Sequence, residues 1–191
     1  MICLSNESYE KEVLNLDMLA NGVVDGIIAS VAKETEAKED YRHFRELVNN
    51  GIPLVMFDRV VDEIDCNKVI ADDKGGAFLA TEQLIKNGCS NIALVTTPDY
   101  VTVGLERKEG YLKALNEFKI PSNEELVVTI DDQKSVDEQL TVLFEGNTVP
   151  DGIFAVNEIY AATVMKVARK FGYSVPEDIE VIGFTDGLIS E

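Results

Sequence analysis

The sequence contains few of the residues that would indicate a metal site, a disulfide framework or a nucleic-acid-binding surface. It has three cysteines, Cys3, Cys66 and Cys89, and a single histidine, His43. Three thiols cannot all pair within one chain and their spacing is not that of metal ligands, so we expect reduced, buried thiols. Lys and Arg number 17 against 35 Asp and Glu, a net charge of −18. Because DNA binding requires clustered cations, this chain is not expected to bind nucleic acid by itself.

Other absences narrow the functional class. No apolar run approaches the length of a membrane span, and the N-terminus has no basic-then-apolar signal segment. Gly75 and Gly76 lack the lysine and Ser/Thr spacing of a phosphate loop. There is no nucleophile–base pair, metal cluster or dinucleotide fingerprint. We therefore expect a cytoplasmic protein that is not an enzyme and needs no cofactor or metal, and we expect His43 to lie on the surface.

Short apolar segments alternate with helix-length amphipathic segments along the chain. The predicted strands are Ile2–Asn6, Val24–Ala29, Pro53–Phe57, Lys68–Ala71, Ile92–Thr96, Leu126–Ile130, Gly152–Val156 and Glu180–Phe184. The predicted helices are Tyr9–Ala20, Ala37–Asn49, Asp73–Asn87, Val103–Phe118, Ser135–Glu145 and Glu158–Phe171. Near-continuous apolar strands that alternate with helices predict an α/β fold with parallel sheets covered by helices.

One phrase occurs twice: VVDGIIAS begins at Val23 and VPDGIFAV at Val149. Around these phrases the two halves match in order, as ICLSN, DGIIAS and PLVMFD in the first half and LVVTI, DGIFAV and EVIGFTD in the second. The first half has no partner for IALVTT and the helix after it. The comparison predicts that a leading strand–helix unit of about thirty residues is missing from the first half.

Two matching halves predict two Rossmann-like sub-domains, residues 1–88 and 89–191, with a ligand cleft between them. Ligands of open parallel sheets bind beyond the carboxyl ends of the strands. In this chain those ends are rich in short hydrogen-bonding side chains, which suit a polyhydroxylated small molecule such as a sugar or a nucleoside.

Five longer phrases resemble the effector-binding core of LacI/GalR-type bacterial transcription regulators, whose fold is shared with periplasmic sugar-binding proteins. They are GIPLVMFDR, VIADDKGGAFLATEQLIKNG, ERKEGYLKAL, IFAVNEIYAATVM and VPEDIEVIGFTDG, in the family's order and spacing. The resemblance implies a periplasmic-binding-protein-like fold, a small-molecule effector and a homodimer. It also implies that the helix-turn-helix head and the first core strand and helix lie outside this chain, which resembles a fragment of a regulator.

The resemblance identifies candidate ligand contacts in the second half. The family's arginine on the helix after IALVTT corresponds to Arg107, whose guanidinium suits adjacent sugar hydroxyls or a carboxylate; pairing with a neighbouring glutamate is the alternative. Asn157 occupies the place of a family asparagine and is also a favoured helix N-cap. Thr185 stands where relatives commonly have aspartate, so either Thr185 or Asp186 is expected to contact the ligand.

Three further aspartates complete the predicted site. Asp58 and Asp72 follow strands in the first half and are placed near the cleft by the resemblance, although Asp72 could equally cap the next helix. Asp132, with Asp131, resembles a carboxylate pair, but no histidine or nucleophile accompanies it and a strand end is the simpler interpretation.

An aromatic side chain that stacks on the ligand is common in the family near Asp132, and this sequence has none there. Tyr100 and Phe184 are the remaining candidates, with core packing the simpler role for Phe184.

The function expected from the resemblance is that of a sensor core. A sugar-like effector in the cleft would modulate operator binding by the head of the intact dimer. The alternative is a periplasmic sugar-binding transport protein of the same fold, which would carry a signal segment.

Overall fold

The computed structural model describes residues 1–22, 24–131, 133–185 and 187. They form two compact units. The first comprises Met1–Ala71 with Tyr100–Val103, and the second comprises Asp72–Asp99 with the chain from Gly104 onward. Residues 72–88 therefore belong to the second compact unit. The boundary between the two predicted sub-domains, at residue 88, stays a prediction.

The first unit contains a three-stranded parallel sheet in the order β1-β2-β3. Its elements are α1 (Tyr9–Ala20), β1 (Ile27–Ala29), α2 (Lys33–Lys38), α3 (Arg42–Asn49), β2 (Leu54–Phe57) and β3 (Asn67–Val69). Among the residues that the structure describes, β1 pairs along its β2 side alone, so it forms one edge of this three-stranded sheet.

The second unit contains a four-stranded parallel sheet in the order β5-β4-β6-β7. Its elements are α4 (Asp73–Asn87), β4 (Ile92–Thr96), α5 (Thr102–Glu117), β5 (Val127–Thr129), α6 (Val136–Leu140), α7 (Val142–Glu145), β6 (Gly152–Ala155), α8 (Glu158–Lys170) and β7 (Glu180–Gly183). The first two residues of α5 are grouped with the first unit. Both sheets confirm the predicted α/β class with parallel strands.

One predicted strand is wrong. Residues 1–5 are not in a strand, and Asn6 and Glu7 form a turn with positive φ. A strand persists only when a neighbour receives its backbone hydrogen bonds. The matching segment of the second unit, β5, pairs with the central strand β4, and no described residue of the first unit takes the place of β4.

Two predicted helices are interrupted, and residues 33–36, ahead of the predicted helix Ala37–Asn49, are also helical. Glu39 adopts a left-handed conformation, φ 51°, which ends α2 before α3 begins. The predicted helix Ser135–Glu145 is likewise split into α6 and α7. The other helices are found within a few residues of their predicted bounds, and Gly88, with φ 106°, ends α4 as a left-handed cap.

The two units differ in their cores. The larger apolar core belongs to the second unit and centres on β4 and β6, every residue of which is buried. The first unit has a smaller apolar cluster, which includes Phe44 of α3 and Met56 of β2. Among the described residues, no helix is long and apolar enough to cross a membrane.

Candidate functional site

Arg107 lies on α5, almost wholly buried at 8% exposure. Its Nε donates to Asp73 Oδ1 at 2.8 Å, and its Nη2 lies 2.6 Å from the same oxygen. Asp73, itself buried, is the first residue of α4. Burying a guanidinium is costly unless its charge is compensated, so Asp73 is what allows Arg107 to sit inside the unit.

Two further contacts fix the plane of the guanidinium. Nη1 donates to the backbone oxygen of Val156 at 2.6 Å, directly after β6. The guanidinium carbon lies 3.9 Å from the ring centre of Phe184, directly after β7. An ion pair, a carbonyl and an aromatic face thus hold Arg107 at the carboxyl ends of two adjacent strands, where parallel sheets bind ligands.

The approach of α4 to α5 depends on glycine. A side chain at Gly110 of α5 would collide with the backbone oxygen of Lys74, and one at Gly76 of α4 would collide with the Phe184 ring. These two glycines let the helices and the ring come close enough for Asp73 and Phe184 to reach Arg107.

Asn157 and Thr185 meet at the start of α8. The Asn157 Oδ1 accepts from the Tyr160 backbone N–H at 2.8 Å, the geometry of a helix N-cap. The Thr185 hydroxyl oxygen accepts from the Glu158 backbone N–H at 3.0 Å. Since Val156 binds Arg107 and Phe184 stacks on it, three predicted site residues, Arg107, Asn157 and Thr185, come together at one end of the second sheet.

The predicted aspartates are distributed differently. Asp72 caps α4, its Oδ1 accepting from the Gly75 backbone N–H at 2.8 Å. Asp58 belongs to the first unit, where it follows β2, is exposed and has a positive φ of 58°. Asp132 and Asp186 lie outside the described residues, so their predicted contacts stay predictions.

Asp73, the partner of Arg107, could not be distinguished from its neighbour Asp72 by sequence. Both follow a strand and both suit a helix start. The sequence feature that distinguishes them is the pair of glycines. Because Gly110 has no side chain, α4 packs closely against the face of α5 that contains Arg107. Phe184 does pack against the apolar core, as expected, and it also stacks on Arg107.

The first unit contains two buried carboxylates that sequence reasoning missed. Glu36 accepts hydrogen bonds from the Thr102 backbone N–H at 3.1 Å and from its hydroxyl at 2.6 Å. Burial raises the pKa of Glu36, against the lowering effect of the two Thr102 bonds and of Arg59. Thr102 begins α5, so this carboxylate caps the first turn of that helix.

The second missed carboxylate is Glu12. Its oxygens accept from the Ala32 backbone N–H at 2.6 Å and the Thr35 hydroxyl at 2.6 Å, and Oε1 lies 2.9 Å from His43 Nε2. His43 is buried, so its predicted surface position is wrong. The His43 ring lies on the apolar side of α3, between the rings of Tyr9 and Phe44. The many charged residues beside His43 in the sequence led to the wrong prediction.

The remaining chemistry-bearing groups are sparse. Cys3, Cys66 and Cys89 are unpaired thiols, and only Cys89 is fully buried. Burial raises the pKa of Cys89 to about 11, so the thiol is protonated and unreactive at neutral pH. No cluster of His, Cys, Asp and Glu able to hold a metal ion occurs within the described part of the chain.

Comparison with known proteins agrees with this architecture. Residues 81–191 match the family model of the periplasmic binding protein-like domain. The ribose operon repressor of Halalkalibacterium halodurans is 34% identical over 189 residues, covering 98% of this chain and 53% of the repressor. The transcriptional repressor PurR of Actinobacillus pleuropneumoniae is 30% identical, covering 96% of this chain and 53% of that protein.

A solved structure extends the comparison to three dimensions. A periplasmic binding protein/LacI transcriptional regulator from Alkaliphilus metalliredigens, complexed with D-xylulofuranose, superposes with a TM-score of 0.72 at 26% identity. The match covers 96% of this chain and 65% of that regulator. The chain spans about half the length of the curated relatives it matches. It belongs to the periplasmic binding protein-like domain family, and its resemblance to the cores of LacI-type transcription regulators is confirmed.

Proposed function

We propose that this chain is the effector-sensing core of a LacI-type transcription regulator. The intact protein would be a cytoplasmic homodimer that binds operator DNA through a helix-turn-helix head outside this chain. The effector would be a sugar or a sugar derivative, bound at the carboxyl ends of the parallel strands. Its binding would favour one conformation of the dimer and so change operator affinity.

The observation that carries this proposal is the placement of Arg107 beside Asn157 and Thr185. All three lie at the carboxyl ends of β6 and β7, and each is anchored by a hydrogen bond to a backbone group. Fixed amide, hydroxyl and guanidinium groups are the side chains that bind neighbouring sugar hydroxyls.

Because the charge of Arg107 is already compensated by Asp73, the site favours a neutral ligand over an anionic one. Asp73 already compensates the guanidinium, so a phosphate or carboxylate beside Arg107 would also face the Asp73 carboxylate. A hydroxyl can accept from the guanidinium and donate to a nearby oxygen without adding charge. The regulator from Alkaliphilus metalliredigens was solved with such a neutral sugar, which supports the same class here.

A transport-type sugar-binding protein is the alternative, and an enzyme is a third class. The two curated relatives described above are an operon repressor and a transcriptional repressor, and they favour the regulator over both. The discriminating assay is operator binding by the full-length protein, since a regulator changes its DNA affinity when sugar is added and a transport protein does not bind DNA.

The test of ligand class is a thermal-shift panel of neutral sugars, nucleosides and sugar phosphates on this chain. A neutral sugar is expected to raise the melting temperature, because ligand that binds only the folded state stabilises it. Arg107→Lys should keep the ion pair with Asp73 but lose the planar fork, weakening binding about tenfold or more. Arg169→Lys, on the exposed end of α8, is the matched control. A folded chain that no member of the panel stabilises would contradict the proposal.

A further inference from the structure

We propose that Glu158 is a further specificity-determining residue of the ligand site. Its carboxylate accepts hydrogen bonds from the hydroxyl protons of a neutral sugar and repels ligands that carry a phosphate or a carboxylate. The inference deepens the proposed function and rests on it, because it concerns the site of Arg107, Asn157 and Thr185. All four residues belong to the second unit.

Glu158 lies where Asn157 and Thr185 meet. It is the first residue of α8 and directly follows Asn157, the N-cap of that helix. Its backbone N–H donates to the Thr185 hydroxyl oxygen at 3.0 Å. Glu158 is half-buried, so it is neither sealed in the core nor fully surrounded by water. Its backbone is therefore held inside the predicted ligand site.

The contact with Gly187 gives the direction of the Glu158 side chain. A side chain at Gly187 would collide with both carboxylate oxygens of Glu158. The carboxylate thus lies against the segment that follows β7, close to Thr185. Since α8 follows β6, and β6 pairs with β7, the carboxylate lies at the carboxyl ends of the two strands that hold Arg107.

The other residues of the site offer hydrogen-bond donors to a ligand. Arg107 has N–H groups alone. The Asn157 side-chain oxygen already accepts from the Tyr160 backbone N–H, which leaves the donating NH₂ group. The Thr185 oxygen already accepts from Glu158, which leaves its hydroxyl proton. A sugar hydroxyl that accepts from one of these groups still has its own proton to donate.

Glu158 supplies an acceptor for that proton. A hydroxyl gives up its hydrogen bonds to water when it binds, and a buried donor without an acceptor costs free energy. A carboxylate offers two accepting oxygens, and hydrogen bonds to a charged acceptor are stronger than those to a neutral one. Glu158 therefore complements three neighbouring donors, which is the pairing that adjacent sugar hydroxyls require.

The charge of Glu158 gives the site a second means of selection. Asp73 already compensates Arg107 through their ion pair, so the Glu158 carboxylate leaves one negative charge in excess among these three residues. A sugar phosphate or a sugar acid would face that excess charge where water is partly excluded, and like charges repel more strongly there than in bulk water. A neutral sugar avoids this repulsion.

The test compares this chain with Glu158→Gln, which keeps the length of the side chain and removes its charge. The probes are D-ribose, D-xylose, D-glucose and D-galactose, with a monophosphate of each, and calorimetric titration gives each dissociation constant. The natural chain should bind a neutral sugar at least tenfold more tightly than its phosphate. Glu158→Gln should bind that sugar about tenfold more weakly and should lose most of the discrimination against the phosphate.

Two further variants separate ligand contact from other roles of the charge. Gly187→Ala keeps the charge but displaces the end of the Glu158 side chain, so it should weaken the neutral sugar as Glu158→Gln does. Glu177→Gln, at an exposed position ahead of β7, removes the same charge from the surface and should leave every affinity unchanged. Both Glu158→Gln and Gly187→Ala keep the backbone hydrogen bond of Glu158 to Thr185, and circular dichroism checks that they fold.

The outcomes distinguish this inference from the proposed function. An acid at a helix start also interacts favourably with the helix dipole. If that is its whole role, Glu158→Gln will lower the melting temperature and leave the ratio of the neutral and phosphorylated affinities unchanged, which would overturn this inference alone. A natural chain that binds a phosphate as tightly as its neutral sugar would also overturn it. A folded natural chain that binds none of the probes would contradict the proposed function together with this inference.

Discussion

β1 and β6 have nearly the same sequence and the same register with the next strand, yet they experience different surroundings. β6 lies inside a four-stranded sheet with every residue buried, whereas β1 is an edge strand with Ile28 largely exposed. The repeated phrase fixes the direction and pairing of each strand. Its burial is set by elements that lie elsewhere in the chain, which is why one phrase has two structural roles.

The units also differ in how their interiors are held. The second unit relies on a large apolar core that contains the buried ion pair of Arg107 with Asp73. The first unit has a smaller core supplemented by a carboxylate, Glu12, that joins α1 to the Ala32 backbone, Thr35 and His43. We infer that substitutions at matched positions will have unequal costs in the two units.

The largest difference is expected at Ile28 and Phe154. Phe154→Ala removes a fully buried ring and should cost about 4 kcal/mol of unfolding free energy. Ile28→Ala, at the matching exposed position, should cost less than about 0.5 kcal/mol. Urea denaturation monitored separately for each unit measures both. Comparable losses for the two variants would show that β1 is covered in solution.

The next largest effect on stability is expected at Glu12, a buried carboxylate of the first unit. Glu12→Ala leaves the buried Ala32 N–H and the Thr35 hydroxyl without their acceptor, at a cost of about 3 kcal/mol. Glu10→Ala, at an exposed position of the same helix, is the control and should be nearly neutral. Denaturation of the first unit is the measurement. An unchanged free energy of unfolding in Glu12→Ala would mean that the hydrogen bonds of Glu12 do not stabilise this unit.

The sequence predicted the fold class and seven of the eight strands because apolar periodicity is a local property. It could not predict that residues 2–6 lack strand structure, since that depends on a neighbouring strand. The Arg107 position was found through the family phrases, but Asp73 was missed because its role arises from helix packing at Gly110. His43 was misplaced because neighbouring charges say little about the direction of one ring.

A smaller effect is expected for the aspartates that precede the two strands. Asp151→Ala removes the acceptor of the Ser90 and Asn91 N–H groups and should cost about 2 kcal/mol. Asp25→Ala should leave the stability of this chain unchanged within error. Thermal denaturation of both variants checks this, and a large loss in Asp25→Ala would reveal a structural role for Asp25 already present in this chain.

The smallest effect depends on pH. Burial raises the pKa of Glu36 in the folded state, so its contribution to stability is fully present below the ordinary glutamate pKa and is lost as pH rises through the raised value. Glu36→Gln has no charge to bury. Its stability relative to the natural chain should therefore increase from acid to neutral pH, whereas Glu39→Gln, at an exposed position, should show no such trend. A stability difference between Glu36→Gln and the natural chain that stays constant from acid to neutral pH would contradict the burial of a charged Glu36.

The most direct test of the proposed function is a nuclear magnetic resonance titration of this chain with the sugar that raises its melting temperature most. The Arg107 Nε–H signal and the side-chain amide of Asn157 report on the site itself. The account predicts that both signals, with the backbone amide of Thr185, shift together along one saturable binding curve. Sugar binding that leaves these three signals unmoved, while shifting others, would contradict the assignment of the site.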